Sequence, residues 1–163
     1  MIGEWDAALD FVTHVVALSH SKPGWAVLLF PDASDEHWGS FLTQVPQGEL
    51  DRGVPVEDMT HEPLGFLSVT LKGLQQRWVT ADKEGFSIAN AFKRLEYLLW
   101  NGVHIYTDYR NLGYIFDPEA WVSSVAKTTA QYLKLWKAVL GQYDYTIMHI
   151  SAKCICWEDL LSR

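Results

Sequence analysis

Cysteine is nearly absent from this chain: Cys154 and Cys156 are the two in 163 residues. With one residue between them they cannot build a disulfide framework, and their scarcity points to a reducing compartment. No apolar run is long enough to span a bilayer and no signal peptide opens the chain, so a soluble intracellular protein is expected. Positive charge is also in short supply. Lys and Arg number 13 against 20 Asp and Glu, a formal net charge of −7. A free-standing electrostatic binder of nucleic acid is normally basic, so that class is disfavoured. An enzyme that brings cations to a cluster of carboxylates is not. Low-complexity tracts and internal repeats are missing as well. What is present is core-forming material: 48% hydrophobic and 13% aromatic residues, with eight tryptophans and only 20% charged. That composition suits one packed globular domain and leaves little length for a second.

The most informative stretch is residues 25–35, WAVLLFPDASD. Residues 25–30 form an unbroken apolar run of strand length. Trp25, Val27 and Leu29 fall on one alternating face, and Ala26, Leu28 and Phe30 on the other. A strand apolar on both faces belongs in the middle of a sheet covered by helices. Pro31 is expected to end the run, leaving Asp32 at its tip. Turn formation alone would explain an Asp there, since Pro-Asp-Ala-Ser-Asp is good turn chemistry. A buried carboxylate otherwise needs a partner, and a metal ion is one of the few that suit it.

Apolar residues at helical spacing from Ile2 to Val16 predict a helix ahead of this strand, in residues 1–22. Residues 38–45 and 63–71 read as two further strands. The connection between them, residues 46–62, carries Glu49, Asp51, Glu57, Asp58 and Glu62 against the single base Arg52, and reads as a long, solvated hairpin tip. Residues 80–100 give the clearest helix, with Ile88, Ala91, Phe92, Leu95, Leu98 and Leu99 as its buried stripe. Extending that stripe back one turn reaches Glu84, which also sits near the positive end of the helix dipole. The opposite face, Lys83, Ser87, Asn90 and Arg94, reads as solvated. Asn101-Gly102 ends the helix, and residues 103–108 form another buried strand that finishes in an acid, Asp108. A short helical turn is expected at residues 111–116. A helix follows at residues 128–140 with Leu133, Trp136 and Leu140 on one face. Lys127, Lys134 and Lys137 on and beside it are candidates for phosphate contacts, although such lysines usually mark a solvated face. Residues 145–150 form the last strand, and a helical stub carrying Asp159 closes the chain. A metal site from Cys154, Cys156 and His149 lacks a fourth ligand and the usual spacing, so free cysteines in a packed turn are expected.

Adjacent strands early in the chain imply hairpins, and later strands separated by helices imply crossovers. The expected architecture is an α/β fold with a mixed sheet flanked by helices. Asp32, Glu84, Asp108 and Asp159 would then gather at one end. Four carboxylates cannot all ionise side by side without cations, and a pair of Mg²⁺ ions is the economical counter-charge. Two such ions about 4 Å apart activate water and stabilise a leaving oxygen in phosphodiester cleavage.

At these residues the sequence resembles the ribonuclease H domain of reverse transcriptases from gypsy-type LTR retrotransposons. The matching pieces are Phe30-Pro-Asp-Ala-Ser34 with Trp38-Gly39, and Pro63-Leu-Gly-Phe-Leu-Ser68. They continue with Arg77-Trp78 leading to Asp82-Lys-Glu-Gly85, Tyr106-Thr-Asp-Tyr-Arg-Asn-Leu112, and Asp159-Leu-Leu-Ser-Arg163. The resemblance implies a ribonuclease H-like fold with a mixed five-stranded sheet over residues 23–163. Residues 1–22 would be the remnant of the connection to a polymerase. It places the acidic tetrad on Asp32, Glu84, Asp108 and Asp159. Asp32 would bridge two Mg²⁺ ions, with Mn²⁺ a possible substitute. Asp159 would help hold the ion that activates water, and Glu84 with Asp108 the other. The RNA strand of an RNA–DNA hybrid would be cut to leave 3′-hydroxyl and 5′-phosphate ends. The polymerase part of a reverse transcriptase polyprotein would be the protein partner, in the cytoplasm or in retroelement particles.

Three features depart from the family pattern. Tyr109 stands where a His usually follows the third acid. Residues 152–155, Ala-Lys-Cys-Ile, replace a turn that usually carries Gly and Asn, worth about 1 kcal/mol each as a flexible turn and a helix cap. Glu158 sets a like charge beside Asp159. These departures define the alternative, a catalytically impaired domain of the same fold that serves as a structural or nucleic-acid-docking module.

Overall fold

The computed structural model describes residues 18–33, 35–99, 101–108 and 127–151. The expected N-terminal helix, the turn at 111–116, Tyr109, residues 152–155 and the stub with Asp159 lie outside the described residues.

The strands are β1 (Trp25–Ala33), β2 (His37–Pro46), β3 (Glu62–Thr70), β4 (Val103–Thr107) and β5 (Tyr145–His149). They form one sheet in the order β3-β2-β1-β4-β5. The first three pair antiparallel as hairpins, while β4 runs parallel to β1 and β5 parallel to β4. This is the mixed five-stranded sheet expected of alternating hairpins and crossovers. β1 is central, and its two faces separate as the alternation predicts. Val27 and Leu29 join the core under the long helix, while Ala26, Leu28 and Phe30 join a second cluster on the other face.

One expectation fails at Pro31. The strand continues through it to Ala33, with Pro31 opposite Ser40 of β2. Pairing of β1 with β4 covers Leu28 and Leu29, so Pro31 lies beyond that ladder, where a strand tolerates a residue without an N–H.

Helix α2 (Thr80–Leu99) lies across the first face. Ile88, Ala91, Phe92, Leu95 and Leu99 are buried against Val27, Leu29, Leu42, Val103 and Ile105. It ends as the sequence predicts: the N–H of Gly102 reaches the Leu99 carbonyl at 3.1 Å, and Gly102 takes φ +99°, a conformation that L side chains rarely adopt. Helix α3 (Lys127–Leu140) packs beside α2 through the buried Trp136 and Leu140. The Trp136 ring lies 6.2 Å from Trp78, which meets Phe86 edge-on at 5.1 Å.

The second face carries a row of rings running across four strands in register: Tyr106, Phe30, Phe41 and Phe66, with successive centroids 5.3, 5.9 and 4.7 Å apart. Its cover corrects a second expectation. Residues 46–62 are not a solvated hairpin tip. They form helix α1 (Gln47–Asp51) and a 3-10 turn at Val56–Asp58. Val56 and Met59 are buried against Ala26, Leu28, Phe30 and Phe41. Glu49 closes this cap, accepting from the Thr60 N–H at 2.7 Å and the Thr60 hydroxyl at 2.8 Å; these bonds hold its carboxyl below the usual carboxylate range. The acids face outward, as expected, while the irregularly spaced apolar residues between them reach inward.

At the far end of β2 the buried Gln44 fastens the approach to β1. Its side chain accepts from the Lys22 N–H at 2.9 Å and donates to the His20 carbonyl at 2.8 Å. Lys22 adds an ion pair to Glu62 at 2.6 Å and lies over the Trp25 ring.

Candidate active site

Register places two of the sequence-predicted acids side by side. Leu29 of β1 pairs in parallel with Ile105 of β4. Three residues further along each strand are Asp32 and Asp108. Asp32 is half-buried at the end of β1, and Asp108 is exposed just past the end of β4. The backbone of Asp108 is fixed by β5: His149 Nε2 donates to the Asp108 carbonyl at 3.1 Å, and the Ile150 N–H reaches the Thr107 carbonyl at 2.9 Å. His149 therefore acts here through its ring N–H, as an anchor of the strand end. The sequence offers no sign of this role, since the metal site weighed for His149 lacks a fourth ligand and the usual spacing.

The third acid comes from α2. Glu84 is 3% exposed, on the core side of its helix as the extended stripe predicts. The helix begins at Thr80, so Glu84 sits in its second turn and Asp82 is the acid of the first. Dipole stabilisation is correspondingly weaker at Glu84 than the sequence suggested. Burial pushes its carboxyl well above the usual range, and the charges of Asp32 and then Asp108 push it the same way. A hydrogen bond from the Ala33 backbone opposes the shift. That bond ties the carboxyl of α2 to the end of β1. The other carboxyl oxygen, Oε2, is buried with no hydrogen-bond partner.

A carboxylate buried without full hydrogen bonding is costly, and its cost grows when like charges are near. A cation among the acids reverses that sign. The donor set is all oxygen, which suits Mg²⁺ or Mn²⁺. Among the described residues no three His, Cys, Asp or Glu side chains are gathered tightly enough to ligate one ion. Asp32 and Asp108 thus bear on Glu84 by charge, without a shared three-ligand sphere among the described residues. Asp159 lies outside the described residues.

The predicted solvated face of α2 needs correction. Lys83 and Ser87 are buried, and only Arg94 of the four is exposed; the open face carries Lys93, Arg94, Glu96 and Tyr97. The helix start is enclosed, with residues 82–85 all buried. The Ser87 hydroxyl turns back on its own helix to donate to the Glu84 carbonyl at 2.7 Å. The Lys83 ammonium reaches the Asp35 carbonyl at 3.1 Å. A 3.6-residue repeat cannot show this, because Lys83 reaches across to the β1–β2 turn at Asp35, a segment outside its own helix. Of the candidate phosphate-binding lysines, Lys134 is exposed and Lys137 half-buried on α3; the side chain of Lys127 lies outside the described residues.

A five-stranded mixed sheet in the order 3-2-1-4-5, with two acids at the ends of its central parallel pair and a third on the covering helix, defines the ribonuclease H-like class of fold. Solved structures agree. LC11-RNase H1 in complex with an RNA/DNA hybrid, a protein isolated from compost by a metagenomic approach, aligns with TM-score 0.54 at 10% identity, covering 83% of this chain and 92% of that one. The foamy viral protease-reverse transcriptase in complex with double-stranded DNA aligns with TM-score 0.57 at 9% identity, covering 89% of this chain and 28% of that one. In sequence, the enzymatic polyprotein of cauliflower mosaic virus (strain D/H) is 26% identical over 154 residues, covering 90% of this chain and 20% of the polyprotein. The chain therefore spans about a fifth of the length of the curated relatives it matches. Residues 22–143 match the RNase H-like domain found in reverse transcriptase, and the chain belongs to that family. Among the described residues no helix is long and apolar enough to cross a membrane.

Proposed function

We propose that this domain cleaves the RNA strand of RNA–DNA hybrids endonucleolytically, as the ribonuclease part of a reverse transcriptase of the gypsy LTR-retrotransposon type. Asp32, Glu84, Asp108 and Asp159 would hold two Mg²⁺ ions, with Mn²⁺ able to replace them. The observation that carries this reading is Glu84: a carboxyl buried to 3% exposure, with Oε2 lacking a hydrogen bond, placed where Asp32 and Asp108 bear on it. Family membership and the hybrid-bound state of a structural relative support the substrate class. Divalent ions bound there supply Lewis-acid stabilisation of phosphoryl oxygens and a lowered pKa for bound water. The protein's part is to hold the acids in place: β1 and β4 set Asp32 beside Asp108, and α2 brings Glu84 down onto them. Lys134, Lys137 and Lys127 are the proposed phosphate contacts. A polymerase part of the same polyprotein would supply the basic surface that a chain of net charge −7 lacks.

A second reading, a docking module without catalysis, is favoured by Tyr109, by the altered turn at residues 152–155 and by the net charge of −7. Metal response separates the two. An ion that binds only the folded state at 100 times its Kd stabilises by about 2.7 kcal/mol. That corresponds to roughly 5–10 °C in a chain of this length. Millimolar Mg²⁺ or Mn²⁺ is expected to raise the Tm of the wild type by that amount and to leave Asp32→Asn unmoved. A wild type that melts identically with and without metal contradicts the proposal.

A further inference from the structure

We propose that Lys83 is a positioning residue for this carboxylate site, tying the turn that follows Asp32 to the helix turn that carries Glu84. The inference rests on the metal-binding reading above. Lysine is almost never buried without a paired partner, because taking an ammonium out of water is expensive. Lys83 is nevertheless 5% exposed. Its Nζ donates to the Asp35 carbonyl at 3.1 Å and lies 3.6 Å from Asp35 Oδ1. The Asp35 carboxylate is itself fully in solvent, where an ion pair contributes little. The backbone carbonyl is therefore the firm partner, and what the bond holds is the path of the chain.

That path leads directly to the site. Asp35 is three residues past Asp32, and Lys83 immediately precedes Glu84. The Ala33 backbone bonds the Glu84 carboxyl in the other direction. Two cross-links thus join the chain just past Asp32 to the helix turn that carries Glu84. On the far side of the hairpin the Leu71 N–H holds the Glu36 carbonyl at 2.7 Å. Without Lys83 the β1–β2 turn keeps that outer bond but loses one of its two ties to α2, so Asp32 is held less firmly against Glu84.

The sign of one measurement separates this role from a purely electrostatic one. An ammonium beside the acids repels incoming cations, so if charge were its contribution, removing it would tighten metal binding. If position is its contribution, removing it weakens binding. Lys83→Met keeps the stem and removes both donor and charge. Calorimetric titration with Mn²⁺ is expected to show binding about tenfold weaker than in the wild type, a modest loss for ligands misplaced by a fraction of an ångström. Near-UV circular dichroism of the metal-free variant should match the wild type. Equal or tighter Mn²⁺ binding overturns the proposal. A second readout needs no variant. In the wild type, Mn²⁺ should slow hydrogen exchange at the Asp35, Glu36 and His37 amides, and unchanged exchange there also overturns it. A wild type that takes up no Mn²⁺ overturns the metal reading itself, and this inference with it. That outcome is distinct from metal binding indifferent to Lys83.

Discussion

Glu84→Gln is expected to make the metal-free protein more stable while removing both its response to Mn²⁺ and its cleavage of a hybrid. The two effects have one cause. Burial and the charges of Asp32 and Asp108 raise the Glu84 carboxyl well above the usual range, so its ionised form is disfavoured in the fold. Over the pH interval between an ordinary Glu, near 4.3, and the raised value, the folded state keeps a proton that the unfolded state releases. The contribution of this group to stability therefore falls as pH rises through that interval, and it stays low above it. Gln has the same shape and no charge to desolvate. Thermal melts without metal should show the variant and the wild type alike near pH 4 and the variant a few degrees higher at pH 8. With millimolar Mn²⁺ the order should reverse, because only the wild type gains. Hybrid cleavage should fall by about 10²–10³-fold or more, the loss seen when one electrostatic element of a transition-state site is removed. A variant destabilised at pH 8 would mean that Glu84 is held by contacts the structure does not contain.

Phe92→Ala is the largest expected loss of stability. Phe92 is fully buried between α2 and the sheet. Its ring lies 5.1 Å from Tyr143 and 6.2 Å from Tyr145. It thus joins the long helix to the chain that carries α3 into β5. Truncating a buried Phe to Ala costs about 3–5 kcal/mol. Domains of this size are stable by only about 5–15 kcal/mol, so the change consumes a large share. At about 2–4 °C per kcal/mol, Tm should drop by roughly 6–20 °C. Leu135→Ala, on the outer face of α3 and 64% exposed, should stay within about 0.5 kcal/mol of the wild type. Comparable losses at the two positions would contradict the helix packing described.

Much of this fold can be read from alternation and helical spacing. The apolar run at residues 25–30 announces a central strand buried on both faces, and Val27 and Phe30 do lie in separate clusters. The stripe of α2 is legible back to Glu84, and acids following two apolar strands place Asp32 and Asp108 at one end of the sheet. The failures share a physical cause. Pro31 looks like a stop because a proline removes a donor, yet a donor matters only where a neighbour is there to accept it. Residues 46–62 look solvated because acids dominate them, while Val56 and Met59 are held inward by tertiary contacts that have no period. A repeat that describes one helix sends Lys83 and Ser87 to water, whereas Lys83 reaches the β1–β2 turn at Asp35 and Ser87 is buried with its hydroxyl on the Glu84 carbonyl. Local pattern reports what an element presents to its nearest layer. It does not report what a distant segment later lays over it.

The central claim is that the acids at the end of β1, the end of β4 and the start of α2 form a metal-dependent site that cuts RNA in a hybrid. Its most direct test is an end-labelled RNA–DNA hybrid incubated with the wild type and with Asp108→Asn, in Mg²⁺ and in Mn²⁺. Asp108 is exposed at a strand end, so the substitution should leave the melting temperature of the metal-free protein unchanged. The account expects the RNA strand alone to be cut by the wild type, leaving 3′-hydroxyl and 5′-phosphate ends, and the cutting to vanish in the variant. A folded wild type that leaves the hybrid intact in both metals, or an Asp108→Asn variant that cuts as well as the wild type, would contradict it.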